Sequence, residues 1–170
     1  MIEIIGAKGN IKDIDNFLKK VNIFAQNHNI IIQVFDANLI YGKNHLTSAV
    51  EHAIRAMNYK TNTTNSLEME ILLYASGERQ LKLAIPKIGV KKDNIKIAFV
   101  FLKDAERVVS NQIVDELLEI LSLTRDDKVL EGDENTLKRF GIKENEIITV
   151  TKDKYSNLIL EKVAMVDIIK

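Results

Sequence analysis

The sequence predicts a mixed α/β (α+β) fold, a single domain over residues 1–170 in which a small sheet is packed by about five to six helices. Two observations lead there. Apolar, β-branched runs at residues 1–5, 29–35 and 93–102 are separated by stretches whose apolar residues recur at helical spacing. The 170 residues are 46% apolar and 28% charged, enough to bury one core and too apolar for broad disorder. No repeat, linker or low-complexity segment divides the chain.

The elements follow in order. Met1 to Ile5 reads as a strand ending at Gly6. Ile11, Ile14, Phe17, Leu18, Val21, Phe24 and Ala25 predict an amphipathic helix capped by Asn10 and running to about Asn27. The run NIIIQVF is a buried strand, which ANLIYG continues or pairs with. Asn44 is placed to cap a second helix with an apolar stripe of Leu46, Val50, Ala53, Ile54 and Met57. After the polar loop KTNTTN, Asn65 opens a buried helix, with Glu68 completing a capping box and Gly77 as its left-handed end. A short helix, ERQLKLAIPKI, resumes and stops at Gly89, and Pro86 is expected to kink or end it.

The run DNIKIAFVFL alternates as a strand. A third long helix is expected over 105–122 on Val109, Ile113, Val114, Leu117 and Leu121, then a charged connection, TRDDKVLEGDE. Asp133 caps a short helix ending at Gly141. The last helix starts near Tyr155, and periodicity leaves MVDII open between helix and strand.

Composition bounds the chemistry. With no cysteine there is no disulfide, thiolate metal site or Cys nucleophile, in keeping with a reducing cytoplasm. The N-terminus has no basic leader, and no window approaches the roughly 20 apolar residues of a membrane span. Net charge is zero, but residues 43–96 hold nine Lys or Arg against five acids, and residues 97–170 eleven against fifteen. The middle third is basic and the last third acidic. No Walker loop, dinucleotide fingerprint or nucleophile elbow is present.

His45 and His52 lie seven apart on one helix, too far to share an ion without a third element, so no metal and no cofactor is expected. Glu68 and Glu70, two apart, point in different directions. Glu70 is expected half-buried and paired with Arg79 or Arg55. No nucleophile, base and oxyanion site come together, which argues against an enzyme.

The polar elbow Ser76, Gly77, Glu78, Arg79, Gln80 directly follows a buried helix. Within five residues it offers a hydroxyl, backbone amides, a guanidinium and a carboxamide, groups that suit phosphate, sugar and base edges. It can also be a helix cap pinned by its neighbours, and pattern alone favours that reading.

The segments NSLEMEILLYASGERQLKLAIPKIG, DANLIYGKNHLTSAVEHAIRA and LILEKVAMVDI resemble, in order, the small non-catalytic subunit of the KEOPS complex, the p53-related kinase-binding protein (TPRKB) family. A-S-G-E-R-Q followed by A-I-x-x-I-G is the most specific part, supported by H-L-x-x-A-x-x-x-A. The abundance of Lys, Ile and Asn suits an archaeal member. The resemblance does not rest on Pro86 or on a variable segment, 124–150.

The resemblance implies a non-catalytic subunit of a complex that makes threonylcarbamoyladenosine in tRNA. The family docks on a kinase-like ATPase subunit, reaches the threonylcarbamoyl transferase subunit through the complex, and binds the single-stranded CCA end of tRNA. Matched positions give Asn65, Ser66, Ser76, Gly77, Arg79 and Gln80 as tRNA contacts. Charge alone adds Lys43, His45, Arg55 and Lys60. The alternative is a protein-only adaptor of the kinase-like subunit that never touches RNA.

Overall fold

Strand β3 (Lys96–Leu102) is apolar on both faces, so both need cover. In the computed structural model, which describes residues 2–103 and 107–169, β3 lies inside a sheet clad on both sides. It pairs antiparallel with β1 (Ile2–Lys8) and with β2 (Ile31–Asp36). A two-residue strand, β4 (Thr124–Arg125), extends β1, giving the order β2-β3-β1-β4. Because β1 and β2 both run against β3, they are parallel to each other. Helix α1 (Ile14–His28) joins them, a split βαβ unit with β3 inserted between its strands.

The strand pleat sorts the core into two layers. Ile97, Phe99 and Phe101 join Ile5 and Val34 against α1 and α5 (Asn111–Ile120). Ala98, Val100 and Leu102 join Ile4 and Phe35 on the other face. That face is covered by α2 (Gly42–Tyr59), α3 (Leu67–Ser76), α4 (Leu81–Ile88), α6 (Glu134–Phe140), α7 (Glu144–Ile147) and α8 (Tyr155–Ile169). Phe99 and Phe101 are fully buried, each contributing about 1.5–3 kcal/mol of apolar transfer.

Several boundaries differ from the sequence reading. Asp13, not Asn10, caps α1, its carboxylate accepting the Asn16 N–H. Residues 9–11 are drawn instead into a turn with 93–95, through Gly9 N–H to the Ile95 carbonyl and Ile11 N–H to the Asn94 carbonyl. Residues Ala37–Leu39 form a 3-10 turn rather than strand. Helix α2 begins at Gly42, ahead of Asn44. Helix α3 is capped by Ser66, whose hydroxyl accepts the Met69 N–H, rather than by Asn65.

Pro86 sits within α4 with its side exposed, and the helix continues to Ile88. Helix α5 is capped by Ser110 and starts at Asn111; the expected start at 105 lies outside the described residues. The charged connection holds β4 and a 3-10 turn at Asp127–Leu130. MVDII completes α8 as helix.

That 3-10 turn leans on β1 at Gly6. Gly6 N–H donates to Asp127 Oδ1 at 3.0 Å, and Asp126 N–H donates to the Gly6 carbonyl at 2.9 Å. A Cβ there would stand 2.5 Å from Val129 Cγ2 and 2.6 Å from the Asp126 carbonyl oxygen. Gly6→Ala should therefore push the turn off the sheet and destabilise the fold by about 1–3 kcal/mol, read as a lowered urea midpoint.

Candidate nucleic-acid interface

Helix α3 is buried from Glu70 to Ser76, so water cannot satisfy the carbonyls at its end. The protein supplies donors instead. Ser76 Oγ donates to the Leu73 carbonyl at 2.7 Å, Gly77 N–H to the Tyr74 carbonyl at 3.1 Å, and His45 Nε2–H to the Ala75 carbonyl at 2.8 Å. Gly77 takes the left-handed conformation (φ 69°), which suits glycine. Ser76 Oγ also accepts the Glu78 N–H at 3.1 Å, turning the chain outward.

Arg79 and Gln80 emerge on the exposed side of that turn. Gln80 is the N-terminal flank of α4, and its backbone carbonyl accepts the Leu83 and Ala84 N–H groups, which leaves its carboxamide clear of capping. Arg79 Nη1 donates to the Ile169 carbonyl at 3.4 Å, in the last turn of α8. Glu78 is turned away and pairs with Lys87 at 3.2 Å, while Lys87 lies 4.0 Å over the Phe140 ring.

Two of the expected contact residues do not reach solvent. Ser76 is fully buried as a helix cap. His45 is 1% exposed, its Nδ1 accepting the Tyr41 N–H at 3.1 Å at the start of α2. Both ring nitrogens of His45 are therefore engaged, and the neutral Nε2–H tautomer bridges the start of α2 to the end of α3. Its role in this conformation is to aim the elbow.

The other positions scatter. Lys43 pairs with Asp127 at 3.7 Å, beside the sheet, and Lys60 is the left-handed cap at the opposite end of the 18-residue α2. Asn65 and Ser66 sit at the far end of α3, roughly 15 Å from the elbow. Glu70 is fully buried, not half-buried. Its carboxylate accepts the Thr63 N–H at 3.1 Å and the Thr64 N–H at 2.9 Å, and so organises the loop before α3.

Besides the buried His45, Arg55 is the charge-based position whose side chain approaches the last turn of α8, as Arg79 does. Arg55 Nη2 lies 2.7 Å from His52 Nδ1, and His52 Nδ1 lies 2.7 Å from Asp167 Oδ2. The Tyr74 hydroxyl donates to the other oxygen of Asp167. Partial burial by itself raises the Asp167 carboxyl, but Tyr74, His52 and the Arg55 charge outweigh it and hold it below the usual carboxylate range. Arg55 and Arg79 thus approach the same last turn of α8. From sequence, His52 is weighed only as a metal ligand and Tyr74 and Asp167 are not singled out, because residues this far apart in sequence meet only in the fold.

The model of the family described as "Kinase binding protein CGI-121" matches residues 9–167 of this arrangement. The chain belongs to the CGI-121 family. It is 30% identical over 155 residues to the "Regulatory protein Cgi121" of Methanocaldococcus jannaschii, covering 89% of this chain and 93% of that protein. The match runs through Pro86 and the 124–150 segment. In this CGI-121 chain the H-L-x-x-A-x-x-x-A motif is a packing motif: Leu46, Ala49 and Ala53 are fully buried beneath α3. No described helix is long and apolar enough to cross a membrane.

The His45 bridge has a pH signature. Burial lowers its pKa from 6.5 to about 4, partly offset by the Ala75 hydrogen bond. A histidine depressed in the folded state leaves the unfolded chain binding more protons between those values, so stability falls as pH drops from about 6.5 towards 4. The loss is on the order of 3 kcal/mol. Urea titrations at pH 7 and pH 4.5 should show it in the wild type, and a smaller drop in His45→Gln.

Proposed function

We propose that the chain is a non-catalytic regulatory subunit of a KEOPS-type complex, docking on the kinase-like ATPase subunit and recruiting tRNA by its single-stranded CCA end. Reach to the threonylcarbamoyl transferase subunit is then indirect, through the assembly. The observation that carries the RNA half is the outward placement of Arg79 and Gln80 on a rigidly capped elbow, with Arg55 nearby. A flexible RNA end offers phosphates, ribose hydroxyls and unstacked bases, which a guanidinium, a carboxamide and backbone amides can bind.

Within this reading Arg79, Gln80 and the Gly77 backbone are the contacts, with Arg55 as a second cation. Ser76 and His45 act by holding the elbow. Asn65, Ser66, Lys43 and Lys60 are left as contacts to more distant parts of the RNA. The protein-only adaptor is favoured by one observation: the Ser76 hydroxyl and the Gly77 conformation already have full use as a helix cap.

Fluorescence anisotropy with a labelled elongator tRNA separates the two. Intact tRNA should bind the wild type, and removing CCA should weaken binding. Arg79→Ala, a change at an exposed side chain that should leave the CD spectrum unaltered, should cost about tenfold in affinity and reduce the salt slope by about one. Binding that ignores both trimming and Arg79→Ala, or no binding at all, would establish the adaptor reading instead.

A further inference from the structure

The cations near the elbow already have a ligand, and it belongs to the chain itself. Arg79 Nη1 donates to the Ile169 carbonyl at 3.4 Å, at the negative end of the 15-residue α8. Two residues earlier, Asp167 Oδ2 stands 3.9 Å from Arg55 Nη2 and 2.7 Å from His52 Nδ1. A carboxylate and a helix C-terminus present to these guanidiniums the partial and full negative charge that a phosphodiester would present.

The contacts are built to let go. His52 Nδ1 lies 2.7 Å from both Asp167 Oδ2 and Arg55 Nη2. One ring nitrogen can donate to the carboxylate or accept from the guanidinium, not both, so the two partners compete for it. If Arg55 swings away, Nδ1–H turns wholly to Asp167, which also keeps the Tyr74 hydroxyl. Asp167 therefore stays satisfied after release. Ile169 is an exposed residue, so water can take the place of Arg79 at its carbonyl.

We propose that the last turn of α8 is an internal stand-in for RNA phosphate, an autoinhibitory latch in which Asp167 and the Ile169 carbonyl occupy Arg55 and Arg79 until a nucleic-acid strand displaces them. This rests on the tRNA-recruiting reading above and adds regulation to it. Apparent affinity is then lowered by the fraction of molecules in which the latch is closed. A partner that pulls the end of α8 aside opens the site without touching RNA.

The test is anisotropy with CCA-ended tRNA on wild type, Asp167→Asn, Asp167→Asn combined with Arg55→Ala, and Glu144→Gln. Asparagine keeps an acceptor for Tyr74 while removing the charge, so Asp167→Asn should bind on the order of fivefold tighter. Adding Arg55→Ala should cancel that gain. Glu144→Gln, an equal change in net charge at an exposed residue of α7, should leave affinity where it was. Hydrogen exchange gives a readout besides affinity: amides at 166–169 should exchange faster with tRNA bound.

Wild type that binds while Asp167→Asn binds equally or more weakly would sink the latch and leave recruitment standing. A gain shared by Glu144→Gln would reduce the effect to bulk charge, and a gain surviving Arg55→Ala would show that Arg55 is not what Asp167 occupies; either would sink the latch. No binding by any variant would remove recruitment and latch together. Binding that emerges only in Asp167→Asn supports both.

Discussion

Everything at the candidate interface depends on how α3 ends. A helix buried at its C-terminus must find donors for its last carbonyls within the protein. Here they come from three sources: a side chain of the helix (Ser76), the turn that follows (Gly77), and a histidine thirty residues upstream (His45). The same three bonds set the direction in which the chain leaves. Because that direction is outward, Arg79 and Gln80 are displayed rather than packed. Core chemistry and surface display are coupled, which is why a motif made mostly of buried residues can still define what the surface offers.

The sequence told most where a decision is local. The alternation of β3, the Gly77 and Asp133 caps and the helical period of α1 and α2 are properties of short windows, and the fold has them. It misled where two adequate residues competed and a distant contact chose. Asn10 and Asp13 can each cap a helix; the turn at 93–95 claims the backbone around Asn10, so Asp13 prevails. Asn44 loses to the frame in which His45 closes the start of α2. The 3-10 turn at Asp127–Leu130 is invisible in a charged stretch because its partner is the backbone of Gly6.

The site was legible in the same uneven way. Arg79 and Gln80 stand out as polar residues after a buried helix, and they are exposed. Ser76 and His45 belong to the same motifs, yet both are interior, since motif membership does not distinguish a contact from a support. The cluster of His52, Tyr74 and Asp167 left no local trace at all. Its members lie on α2, α3 and α8, and only the packing of those helices brings a carboxylate to the cations.

The central position of β3 also governs the order of assembly. Ile2 pairs with Leu102, and Ile31 pairs with the same Leu102, while β4 comes later still. No ladder of this sheet can close until the chain has been made beyond Lys96. A nascent β1–α1–β2 segment therefore holds two apolar strands with an empty lane between them, whereas α2, α3 and α4 can meet through neighbouring segments alone. Loop closure over such separations places folding towards the slow end for a mixed domain. Until β3 arrives, the vacant lane is the part of the young chain most open to pairing with another copy.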